Sequence, residues 1–104
     1  MAQFDVFVNP IVAARRAYPF VAVLQSDLAD TGRERIVAPL APRAKVPGTT
    51  GHLAPHVKLA DTEYVLFVPR LTAVRVDDLQ DRRGQLTAYR DQVVAALDYL
   101  FLGV

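Results

Sequence analysis

The chain has no cysteine among its 104 residues. That excludes a disulfide framework, a thiolate nucleophile and any cysteine-based metal site, and it suits a reducing cytoplasm. Serine occurs once, as Ser26, and histidine only as His52 and His56. No nucleophile-elbow glycines surround Ser26, so a Ser–His–Asp arrangement has no motif support. His52 and His56 have the i, i+4 spacing of a metal pair on a helix, but Gly51 and Pro55 argue against a helix there. The five glycines are scattered and form no phosphate-cradling loop. The sequence therefore points away from an enzyme, and no cofactor or metal is expected.

An excess of one charge is also missing. Twelve Lys and Arg stand against eleven Asp and Glu, for a net charge of +1. A protein that grips nucleic acid by its phosphates usually carries a basic excess or stripe. Arg15–Arg16, Arg33 with Arg35, and Arg82–Arg83 are only local clusters and read as solvated faces. Direct DNA binding is not expected. The longest mostly apolar stretch, residues 93–104, is too short to span a bilayer and contains Asp98. The opening MAQFDVFVNP lacks the basic start and apolar run of a signal peptide. The expectation is a cytoplasmic protein with no membrane association.

What is present is a series of short apolar segments broken by turn residues. Residues 3–8 set Phe4, Val6 and Val8 against Gln3, Asp5 and Phe7, a strand with one buried face. Residues 19–26 read as a second strand. A turn over 27–32 has Asp30-Thr31-Gly32 at its tip, and a third strand over 33–40 is ended by Pro39 and Pro42. Residues 41–55, with three prolines and two glycines, read as a loop. Residues 57–60 and 63–68 flank Asp61-Thr62 as a hairpin. Pro69 implies an edge or bulge before a strand over 71–76, and Asp77-Asp78 shapes a turn or helix entry.

From Leu86 the period changes. Leu86, Tyr89, Val93, Ala96, Leu97, Leu100 and Phe101 share one face of an α-helix, preceded by Gly84 and stopped by Gly103. The reading is one α+β domain over residues 1–104: antiparallel strands with a C-terminal helix laid on the sheet. The helix's own core stripe accounts for Leu97, Leu100 and Phe101, but Tyr99 and Leu102 lie off it. An apolar ending Tyr99-Leu100-Phe101-Leu102-Gly103-Val104 calls for a cover, and a second copy or a partner supplies one.

Several segments in register resemble the CcdB family. They are Gln3-Phe4-Asp5-Val6-Phe7, the run Tyr18 to Leu28 with its Gln25-Ser26-Asp27, and Arg35-Ile36-Val37-Ala38-Pro39-Leu40. Pro55-His56-Val57, Glu63-Tyr64, Leu86-Thr87-Ala88-Tyr89-Arg90 and the ending Leu100 to Val104 complete the set. The resemblance implies an SH3-like antiparallel β-barrel with a small extra sheet and a C-terminal helix, assembled as a homodimer. It implies a toxin that binds the DNA gyrase A subunit and traps the gyrase–DNA cleavage complex. It also implies a CcdA-like antitoxin, which neutralises the toxin with a segment that folds on it and alone supplies the DNA contacts that repress the operon. An alternative within the same fold is a non-toxic or retargeted homologue that acts as an antitoxin-binding module.

Carried over by position, the gyrase-contacting residues are Phe101, Leu102, Gly103 and Val104, with the last three projecting past the helix, together with Asp98. Leu102 replaces the tryptophan of the family's toxic member, and Asp98 replaces an asparagine. Ser26, Leu28 and Ala29 occupy positions linked to antitoxin or target binding. Ser26 matches the family, and Ala29 is smaller than its counterpart.

Overall fold

A computed structural model of the chain describes residues 2–49 and 51–103. The alternating segments form strands: β1 (Asp5–Val8), β2 (Phe20–Val23), β3 (Glu34–Pro42), β4 (His56–Leu59), β5 (Thr62–Leu66) and β6 (Thr72–Arg75). A further strand, β7 (Arg82–Gln85), precedes helix α1 (Arg90–Leu102). All pairings are antiparallel. The sheet order is β4-β5-β3-β2-β1-β7, with β6 beside β3. The sheet curls into a half-barrel that carries the helix, the α+β, SH3-like arrangement expected. The β4–β5 hairpin, where a small extra sheet is expected, instead continues this one sheet, joined to β3 over Leu40–Leu66 to Pro42–Tyr64.

The curl creates two cores where the alternation of β1 implies one. Val6 packs in the larger cluster, with Leu40, Leu66, Leu86, Val93 and Ala96. Phe7, on the opposite face, packs with Val21, Val23, Val37, Val74 and Leu79. Both faces of β1 are thus buried, because β6 and the Val76–Asp78 turn fold over the second face. Burying each of these large side chains contributes on the order of 1.5–3 kcal/mol.

β3 runs through Pro39 rather than ending there. Along one edge it pairs first with β6, over Glu34 to Val37, then with β5, over Leu40 to Pro42. Proline has no N–H to give a ladder. Pro39 stands at the changeover between the two partners, where its carbonyl accepts the Phe67 N–H at 3.0 Å. The hairpin turn falls one residue earlier than the sequence suggests. Ala60 and Asp61 have φ of 49° and 66°, and Leu59 faces Thr62 across a two-residue loop. Positive φ at both central residues matches the right-handed twist of the flanking strands. Pro69 lies in a 3₁₀ turn, Val68–Arg70, between β5 and β6.

β7 has no apolar residue and escaped the sequence reading. It is an edge strand on β1, with Arg83 bulged out where the register shifts between Val6–Gly84 and Phe7–Arg82. Gly84 therefore belongs to a strand rather than to a helix entry. Its φ is +150°, and a Cβ there would come within 2.6 Å of Leu59 Cδ1. This close approach brings β7 against β4 and draws the two ends of the sheet together.

The helix starts later than Leu86. A 3₁₀ turn, Thr87–Tyr89, leads into it, and Tyr89 Oη accepts the Lys58 N–H at 3.0 Å, fixing the entry to β4. Val93 and Ala96 are buried, and Tyr89, Leu97 and Leu100 pack on the same cluster. Gly103 ends the helix in the left-handed conformation, with φ of 73°, and its N–H reaches the Tyr99 carbonyl at 3.0 Å.

Candidate functional site

On a helix, residues four apart stand one above the other on one face. Val93 and Leu97 follow the core, but Phe101, four residues on, is left largely uncovered. It is 68% exposed, which removes it from the core stripe to which the sequence assigned it. Leu102 is 71% exposed and Tyr99 45% exposed. Leu102 is the last residue of α1, so only Gly103 of the described residues lies beyond the helix. Asp98 is exposed one turn before Leu102 and takes part in no ion pair among the described residues. Val104 lies outside the described residues.

Phe101 forms one wall of an open, mainly apolar groove of about 480 Å³. Leu97 lies beside it on the helix, Leu71, Thr72 and Ala73 form the β6 side, and Leu24, Gln25 and Ile36 close the far end. Sequence reasoning found Phe101 but not the groove. The groove joins residues from four separate segments, and only the pairing of β3 with β6 brings Ile36 opposite Ala73.

The segment after β2 reaches the same groove through Gln25 and then presents Leu28, the most exposed large apolar side chain described, at 97%. Its backbone is held by side chains. Ser26 Oγ accepts the Leu28 N–H at 3.1 Å, Asp27 Oδ1 accepts the Gln3 N–H at 2.7 Å, and Asp30 Oδ1 accepts the Gly32 N–H at 2.8 Å. Ser26 and Ala29 do not face the apolar groove. They line a separate polar recess of about 160 Å³ with Asp27 and Arg35, and Gln25 borders both. The sequence-predicted residues thus fall into two neighbouring groups: the helix end with Asp98, Phe101, Leu102 and Gly103, and the turn with Ser26, Leu28 and Ala29.

The remaining chemistry-bearing groups serve local structure. His52 stacks on Tyr99, with ring centroids 5.1 Å apart, and His56 Nε2 lies 2.8 Å from the Thr49 carbonyl. Arg15 donates to the Asn9 carbonyl, Arg35 to the Gly32 and Glu34 carbonyls, and Arg82 to Asp5 at 3.2 Å. Arg83 pairs with Asp81 through two nitrogens at 2.9 Å. Each arginine cluster thus has at least one member bonded to a local partner. Ile11 and Val12, 50% and 69% exposed, form a second, smaller apolar spot that the sequence reading missed. Among the described residues, no helix is long and apolar enough to cross a membrane.

Comparison with curated proteins gives no match to this chain. The family model described as CcdB protein matches residues 3–103, almost the entire sequence, including the helix end and the turn that carries Leu28. The chain belongs to the CcdB family, a family of toxins from toxin–antitoxin pairs.

Proposed function

We propose that this chain is a toxin that acts by binding rather than catalysis. It engages the A subunit of DNA gyrase with the end of α1 and traps the gyrase–DNA cleavage complex. The observation that carries this reading is the pair Phe101 and Leu102, 68% and 71% exposed on an ordered helix end beside an apolar groove. Large apolar side chains concentrated at an exposed helix end mark a contact surface. Membership of a family of toxins from toxin–antitoxin pairs supports this reading.

A binding mode is also what the polar groups favour. Ser26 Oγ is occupied in its own turn, and His52 and His56 make local contacts. The protein works as a homodimer in the cytoplasm. A CcdA-like antitoxin neutralises it by folding a segment onto its surface, and DNA is contacted only through that antitoxin. The last point agrees with the small net charge and with Arg15, Arg35, Arg82 and Arg83 each bonded to a local partner.

A second reading rests on Leu102. A leucine supplies apolar area but neither the π surface nor the N–H of the tryptophan found in the family's toxic member. A non-toxic homologue that retains antitoxin binding fits that change. Induced expression separates the readings. Growth arrest with covalent gyrase–DNA complexes, relieved by a co-expressed antitoxin, is the expected result. Antitoxin binding without growth arrest supports the second reading, and growth arrest with degraded RNA contradicts both.

A further inference from the structure

The turn that presents Leu28 is held more firmly than an exposed turn requires, and Gln25 is the side chain that ties it to β3. Its amide nitrogen donates to the Ala29 carbonyl at 2.8 Å and to Thr31 Oγ1 at 2.9 Å. Its amide oxygen accepts the Ile36 N–H at 3.0 Å. One side chain thus ties both limbs of the turn to β3, and its stem lines the apolar groove beside Phe101. Glutamine suits this place because one end donates and the other accepts. Leu28 itself is 97% exposed, so none of this bracing helps it to pack in the isolated chain.

A fully exposed leucine on a pinned backbone is the arrangement of a pre-organised anchor, whose ordering cost is met before the partner arrives. We infer that Gln25 is a positioning residue for target binding: it fixes the 26–33 turn so that Leu28 and the helix end are offered to gyrase A as one rigid surface. This rests on the gyrase reading above. Gln25 acts through Leu28 and touches no partner itself.

The test is a double-mutant cycle with purified gyrase A subunit, read by calorimetry, with amide exchange measured on the free proteins. Leu28→Ala and Gln25→Ala should each weaken binding roughly tenfold. The double variant should be no weaker than Leu28→Ala, because a loosened turn has nothing left to position. The Ile36 amide, deprived of its acceptor, should exchange faster in Gln25→Ala. Gln25→Glu keeps an acceptor for Ile36 and for the Thr31 hydroxyl, which lies 3.2 Å from the amide oxygen, but loses the donor to the Ala29 carbonyl. It should protect the Ile36 amide and bind more weakly than the wild type but less weakly than Gln25→Ala. Thr31→Val, a nearly isosteric change at an exposed site, loosens the same turn if Gln25→Ala fails to fold, and it should show the same non-additivity. Additive losses, or full affinity in Gln25→Ala, overturn the positioning role while leaving the gyrase reading intact. A wild-type chain that does not bind gyrase A defeats the functional reading itself, and the inference with it.

Discussion

Gly84→Ala tests the tightest contact in the fold. The new Cβ would stand 2.6 Å from Leu59 Cδ1, inside van der Waals contact, on a backbone with φ of +150°. Leu59 is only 8% exposed and packs in the main cluster, so it has little room to turn away. Two separate costs follow. Overpacking a filled core costs about 1.5 kcal/mol, and holding a non-glycine residue at this φ costs about as much again. The sum, about 3 kcal/mol, is a large share of the ~5–15 kcal/mol that holds a domain of this size together. It should lower the melting temperature by roughly 12–24 °C.

The two costs can be separated. Leu59→Ala removes the opposing methyl and is itself destabilising through its cavity. Adding Gly84→Ala to that variant should then cost only the backbone part, about 1.5 kcal/mol. Circular dichroism melts at one fixed chain concentration give all four values, since the melting point of an assembling protein depends on concentration. A Gly84→Ala protein that melts within 2 or so degrees of the wild type would refute the close approach of β7 and β4.

Three further outcomes follow from the same geometry. Leu102→Trp should raise toxicity and gyrase affinity, by on the order of 1–2 kcal/mol, since an aromatic ring at an exposed helix end is a favoured anchor; unchanged cleavage-complex yield speaks against a contact at this position. Sedimentation equilibrium at micromolar concentration should give twice the chain mass, and a clean monomer counts against the dimer. The hydrogen bond and charge of Arg83 hold the Asp81 carboxyl below its ordinary 3.8. A lowered pKa contributes stability that is full above about pH 4 and lost as pH falls through the lowered value. Asp81→Asn, which tolerates the φ of 56° there, should therefore lower the melting temperature above about pH 4, with the difference from the wild type shrinking as pH falls below that, and a difference that is largest at low pH contradicts the assignment.

Much of this architecture is written in local pattern. The strand at β1, the turn around Gly32, and the helical spacing of Val93, Ala96, Leu97 and Leu100 are each visible within a few residues and found in the structure, although β1 buries both faces where its alternation implies one. The failures share one cause: they depend on what lies across the sheet. β7 carries Arg82, Arg83, Gly84 and Gln85, with nothing apolar to announce a strand, because an edge strand with three exposed positions needs no buried face. Phe101 continues the spacing of the core stripe but faces an open groove, and a periodicity cannot report where close packing stops. Pro39 looks like a strand terminator until β3 is seen to exchange β6 for β5 at that point. The site was legible as residue types near Leu28 and at the helix end. That Gln25 joins them is a matter of three hydrogen bonds spanning up to eleven residues.

The central claim is that the end of α1 is the target-binding element and not a structural closure. The direct measurement is the yield of gyrase–DNA cleavage complexes with a chain ending at Phe101, run beside its thermal melt. Leu102 is 71% exposed and Gly103 lies outside the packed helix, so removing residues 102–104 should leave the melt nearly unchanged while cleavage complexes disappear. A truncated chain that melts normally and still traps gyrase on DNA would contradict the account.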